Sequence, residues 1–143
     1  DVGADKIART ALATLKLLKQ IRSKTNHEIP LAWHPYVIKV PSCIEVYPAA
    51  TLIAWGILPR GYKGNKPRHY AARTDIIKNL KAFIELAPAT VQAMEDSDHA
   101  IDGVICLLAA HDFVCRRSLP PPDLNIARKE GWIWVKPKGV ESI

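Results

Sequence analysis

His99 and Asp102 open the run Asp98-His99-Ala100-Ile101-Asp102-Gly103-Val104-Ile105-Cys106-Leu107-Leu108, which is otherwise apolar and small. On a helix, three positions apart puts both side chains on one face. A carboxylate on a helix that is apolar around most of its girth is costly to bury unless something positive meets it, and a divalent cation is one such partner. Taken alone, His99 reads as a helix-start histidine and Asp98 as an N-cap. A second acid, Glu45, lies in the short β-branched and aromatic run Cys43-Ile44-Glu45-Val46-Tyr47. That is where an open α/β sheet presents functional groups, beyond the carboxyl end of a strand; the bland reading is an edge or surface residue.

Between these acids, Ile57 to Arg73 carries Arg60, Lys63, Lys66, Arg68 and Arg73 interleaved with Tyr62, His69 and Tyr70, and no acidic residue. Lysine and arginine meet phosphates while tyrosine and histidine stack on bases, so Lys63, Lys66, Arg68 and Arg73 are the expected nucleic-acid contacts. The plain alternative is a solvated charge run. His27, His34 and His111 show no mutual metal spacing. The chain has no GxSxG, P-loop, dinucleotide glycine fingerprint or HExxH, which removes the usual support for serine hydrolase, NTPase, dehydrogenase and zinc-protease chemistry.

The elements that position these residues follow from periodicity and punctuation. Ile7, Ala8, Ala11, Leu12, Leu15, Leu18 and Ile21 recur at three- and four-residue steps, predicting an amphipathic helix over 4–23. Pro30, Pro35 and Pro41 make 28–41 an extended connection with strand pieces at 31–33 and 36–40. A strand over 43–47 turns at Pro48 into a helix over 49–55, stopped by Gly56. The glycine- and proline-bearing basic stretch is a mobile surface loop leading into a helix over about 70–86. A short helix over 89–94 and a longer one over 98–116 follow, the latter with acids at its start and Arg116-Arg117 at its end. After Pro120-Pro121-Pro122, residues 131–135 are a final strand or extended tail.

The 143 residues, 48% hydrophobic and 24% charged, suit one globular domain spanning 1–143. A formal charge of +6 favours an anionic partner. Cys43, Cys106 and Cys115 lack CxxC spacing and read as reduced, mostly buried thiols of a cytoplasmic protein. No run approaches the roughly 18 apolar residues of a membrane span.

Three stretches in order, Ile44-Glu45-Val46-Tyr47-Pro48-Ala49-Ala50, the Asp98 to Asp102 helix start leading into Leu108-Ala109-Ala110, and Glu130-Gly131-Trp132-Ile133, resemble the carboxy-terminal portion of an uncharacterised bacterial and archaeal family of predicted RNase H-like nucleases. Tyr62-Lys63 and Arg73 look like that family's basic positions between its acidic motifs. The resemblance implies an α/β, partial RNase H-like fold, helix-rich, with a short mixed sheet flanked by helices. It implies Glu45 as the central-strand acid, Asp102 as the acid of the last catalytic helix and His99 as accessory ligand or proton-transfer group. Mg²⁺ or Mn²⁺ held by Glu45, Asp102 and His99 would then serve phosphodiester hydrolysis of DNA or RNA. Family members open with an aspartate-bearing strand in an antiparallel sheet; no match precedes the first helix here, and Asp1 and Asp5 lie at the wrong end of that helix. The expectation is therefore a carboxy-terminal part, cutting only as the complete parent, with an exposed sheet edge inviting a homodimer. The alternatives are a non-catalytic nucleic-acid-binding module and a structural or assembly protein.

Overall fold

A computed structural model describes residues 4–36 and 38–139, which fold as two compact units, 1–44 and 45–143. Asp1 and Val37 lie outside the described residues, as does the side chain of Asp5. The first unit carries α1 (Ala4–Thr25). Its predicted stripe leaves Leu12 and Leu15 exposed, and Arg22 pairs with Glu28 at 3.5 Å beyond the helix end.

Among the described residues, five helices build the second unit: α2 (Pro48–Ala54), α3 (Pro67–Leu80), α4 (Pro88–Asp96), α5 (Asp98–Val114) and α6 (Leu124–Glu130). Proline opens α2, α3 and α4, where its missing N–H is no loss and its fixed φ suits the first turn. The α2 end is followed by Gly56 at φ +75°, as its stop role requires. Helix α5 packs against both α2 and α4, and α4 against α3. Leu52 of α2 and Trp55 at its C-cap, Ile76 and Leu80 of α3, Met94 of α4, and Ile101, Ile105 and Leu108 of α5 form one buried cluster. Contiguous burial of this kind supplies most of a helix's stability, since segments of 7 to 17 residues gain little from propensity alone.

The expected short mixed sheet is not there: among the described residues no strand forms, so the α/β assignment and the partial RNase H-like sheet are corrected to a helical architecture. Two isolated parallel bridges stand where strands were expected, Leu31 with Cys43 and Glu45 with Ile133. Prolines at 30, 35, 41 and 48 remove amide donors on either side of these contacts, so each pairing stops at one residue instead of extending into a ladder. With no sheet there is no sheet edge, and the homodimer expected through it loses its basis. No helix among the described residues is long and apolar enough to cross a membrane.

Candidate functional site

The start of α5 gathers the chemistry. Ser97 is its N-cap but makes no side-chain cap bond. Asp98, expected as the cap, is instead the first helical residue, and its Oδ2 accepts the Gly64 amide at 3.2 Å. One turn on, Asp102 Oδ1 accepts the Tyr62 hydroxyl at 2.7 Å and Oδ2 accepts Lys63 Nζ at 2.8 Å. Both carboxylates are partly screened, each side chain 24% exposed, while Lys63 is 60% exposed. Asp102 is thus met by an ammonium and a phenol, the positive partner that its apolar helix demanded.

The loop before α3 is held in place to make these contacts. Tyr62 is 2% exposed and belongs to the core. Burial, then the hydrogen bond and negative charge of Asp102, push its phenol well above the usual tyrosine range, so it stays a proton donor. His69 Nδ1 lies 2.6 Å from the Gly61 carbonyl, and Gly64 sits at φ +123°, where a Cβ would meet the His69 ring at 3.0 Å. Arg73 is the central tie. It is 1% exposed; its Nε donates to the Glu95 carbonyl at 2.8 Å and its Nη1 to the carbonyls of Tyr62 and Gly64 at 3.0 and 2.9 Å. A guanidinium so enclosed has no route to a phosphate, which moves Arg73 from the expected nucleic-acid contacts to the scaffold of the site. Lys63, Lys66 and Arg68 remain exposed.

The other predicted site residues fall elsewhere. His99 is 93% exposed in its side chain, with Nε2 4.0 Å from Asp98 Oδ1; the groups bonded to Asp102 among the described residues are Tyr62 and Lys63. Glu45 is exposed and has structural employment: its Oε2 accepts the Trp132 amide at 2.8 Å, while its own carbonyl accepts the Trp134 amide at 3.0 Å. Gly131, at φ +91°, makes room for that carboxylate; an added Cβ would lie 2.7 Å from Oε2. Among the described residues, no group of three or more His, Cys, Asp or Glu side chains is gathered to hold a metal ion. Glu45, Asp102 and His99 therefore do not assemble as the three-ligand set the resemblance implied. Asp98, discounted as a cap, is the carboxylate that accompanies Asp102; its i, i+4 spacing was the available signal. Cys106, a further turn along α5, and Cys115 are exposed and Cys43 only half-buried, against the expectation of mostly buried thiols; partial desolvation and Asp102 raise the Cys106 thiol, with Lys63 opposing.

Fold and site together define a small helical protein presenting two carboxylates, an ammonium and a buried phenol beside an exposed basic loop. Residues 6–124 match the family described as protein of unknown function DUF429, and the chain belongs to that family. No curated protein and no solved structure matches it.

Proposed function

We propose that the chain carries part of a divalent-metal-dependent site for hydrolysing nucleic-acid phosphodiesters. The observation that carries this reading is the Asp98–Asp102 pair, one helical turn apart and part-exposed, with Lys63 already at 2.8 Å from Asp102 and Lys66 and Arg68 exposed on the same short stretch. The likeness of the three motifs to those of predicted nucleases supports the same class; the reading does not depend on a sheet.

The donor chemistry fits Mg²⁺ or Mn²⁺. These ions take hard oxygen ligands, and Mg²⁺ commonly takes only one or two carboxylates, with water and substrate phosphate completing its shell. Among the described residues Asp98 Oδ1 accepts no hydrogen bond, its nearest basic group being His99 Nε2 at 4.0 Å, and each Asp102 oxygen keeps a lone pair beyond the one it shares with Tyr62 or Lys63. Asp98 and Asp102 would hold such an ion, which would supply a lowered pKa for an attacking water and charge stabilisation for the departing oxygen. The residues of the chain do the rest. Tyr62 fixes the orientation of the Asp102 carboxylate through a hydroxyl that remains protonated. Lys63 neutralises Asp102 in the resting protein and, on release, meets a phosphate oxygen. An ion pair as exposed as this one is worth no more than about 1 kcal/mol, less than the ~4 kcal/mol of even millimolar binding, so Lys63 does not bar a divalent ion. Lys66 and Arg68 hold the nucleic-acid backbone, and the exposed His99 is placed to exchange protons with solvent.

The test is Mn²⁺-dependent cleavage of single- and double-stranded DNA and RNA by the full chain, with Asp102→Asn alongside. Loss of cleavage in the variant supports the reading, and equal cleavage by both removes Asp102 from the mechanism. Salt-sensitive binding that survives Asp102→Asn, without metal and without cleavage, identifies the non-catalytic binding module instead.

A further inference from the structure

A second cluster of charged groups lies at the opposite end of α5, none of it used above. Asp112 is 1% exposed and accepts the Trp55 indole N–H at 2.8 Å. Arg117 Nε stands 3.1 Å from Asp112 Oδ1, and Arg117 Nη2 donates to His111 Nδ1 at 2.7 Å. That bond assigns the His111 proton to Nε2, which faces Cys115 Sγ at 3.5 Å. Lys136, 4% exposed, places Nζ 3.9 Å from the centre of the Trp55 ring. Arg117 and Lys136 thus both act on one buried carboxylate.

Against the cluster opens a cavity of about 400 Å³, a size that takes a small molecule. Its walls are sharply divided. Trp55, Phe83, Ile84 and Leu108 make an apolar chamber, with the Trp55 and Phe83 rings edge to face at 5.3 Å; His111 and Arg117 form the polar end. The backbone at 82–84 offers a ligand no donor, because the amides of Ala82, Phe83 and Ile84 are bonded to the carbonyls that end α3. Arg117 is held by the Nη2 bond to His111 and by its ion pair with Asp112, while its Nε makes no hydrogen bond, so the guanidinium at the cavity's charged end keeps donor capacity.

We infer that this cavity is a binding site for a small aromatic monocarboxylate, its ring packed against the wall made by the touching Trp55 and Phe83 rings and its carboxylate on Arg117. An unbonded polar base edge would be left unsatisfied against these walls, which disfavours a nucleotide. A ring stacked or edge-packed on two aromatic side chains gains their favoured geometry, and a carboxylate on a guanidinium already held in place gains a charge-assisted bond with little ordering cost.

The probe is 2-naphthoate titrated into the full chain, read by the Trp55 indole N–H signal in ¹⁵N–¹H spectra. Saturable one-site binding that moves this signal is expected, with the neutral 2-naphthamide at least tenfold weaker, the difference of a hydrogen bond to a charged group. Arg117→Gln should weaken 2-naphthoate to the same degree. Because Arg117 partners a buried carboxylate, Ala82→Trp at the exposed rim provides a variant that fills the chamber without touching the charges; it should abolish binding. No shift of the Trp55 signal, equal affinity for the amide, or undiminished binding by Ala82→Trp would each overturn the assignment.

Discussion

Tyr62 is the residue on which the α5 site turns, because it is both core and site. Its ring is buried among the helices and its hydroxyl holds Asp102 at 2.7 Å. The folded protein raises its pKa above the ordinary value near 10, so the native state keeps a proton the unfolded chain releases. Stability from this group is intact below pH 10 and falls as pH rises past it. Tyr62→Phe should cost about 1–2 kcal/mol in urea unfolding at pH 7, and the variant should lack the alkaline decline of the parent. An equal decline in both proteins would assign it to other groups. Asp102 and Asp98 were within reach of the sequence through helical spacing; Tyr62 and Lys63 as partners of Asp102, and Gly64 as partner of Asp98, were not, since nothing local joins positions 34 to 40 residues apart. The buried Asp112 was missed for the same reason: Trp55, its indole donor, is 57 residues away.

At the scale of elements, the helices were legible and the strands were not. Apolar periodicity and opening prolines place α1, α2, α4 and α5 within two residues of their observed bounds, whereas α3, expected over 70–86, starts earlier because proline at 67 opens it and stops six residues short, at Leu80. Helix α6 was overlooked behind the triple proline, although Asp123, which accepts the amides of Asn125 and Ile126, and Arg128 and Lys129 in the last turn are ordinary start and stop signals. Arg73 also carried a readable signal: it lies three and four positions before Ile76 and Ile77, on the buried face of α3. Strand propensity at 43–47 found only single-residue partners, and pairing of that kind is decided at long range. The Glu45 carboxylate ties one such segment to Gly131-Trp132. Glu45→Gln keeps an acceptor for the Trp132 amide and should change stability by less than about 1 kcal/mol. Gly131→Ala, at positive φ and against that carboxylate, should cost about 1–3 kcal/mol. Thermal unfolding of the two variants checks both, and a milder effect of Gly131→Ala than of Glu45→Gln would contradict the role given to the contact.

For the whole molecule, a formal charge of +6 supplies attraction to any polyanion, and the exposed basic loop gives it a location. Binding to single-stranded DNA should weaken with salt, and Lys66→Gln and Arg68→Gln should each lower the slope of log K against log salt by about one. Arg73→Met should instead unfold part of the loop, since it strips three carbonyls of their donor. The proposed chemistry, however, stands on the acids and not on the loop. Its most direct measurement is Mn²⁺ binding to the full chain, followed by the loss of the free-ion paramagnetic resonance signal. The account predicts saturable binding that Asp98→Asn and Asp102→Asn each weaken at least tenfold and that Lys63→Ala strengthens, because the competing ammonium is gone. Binding indifferent to all three substitutions, or none at millimolar Mn²⁺, would contradict a metal site at the start of α5.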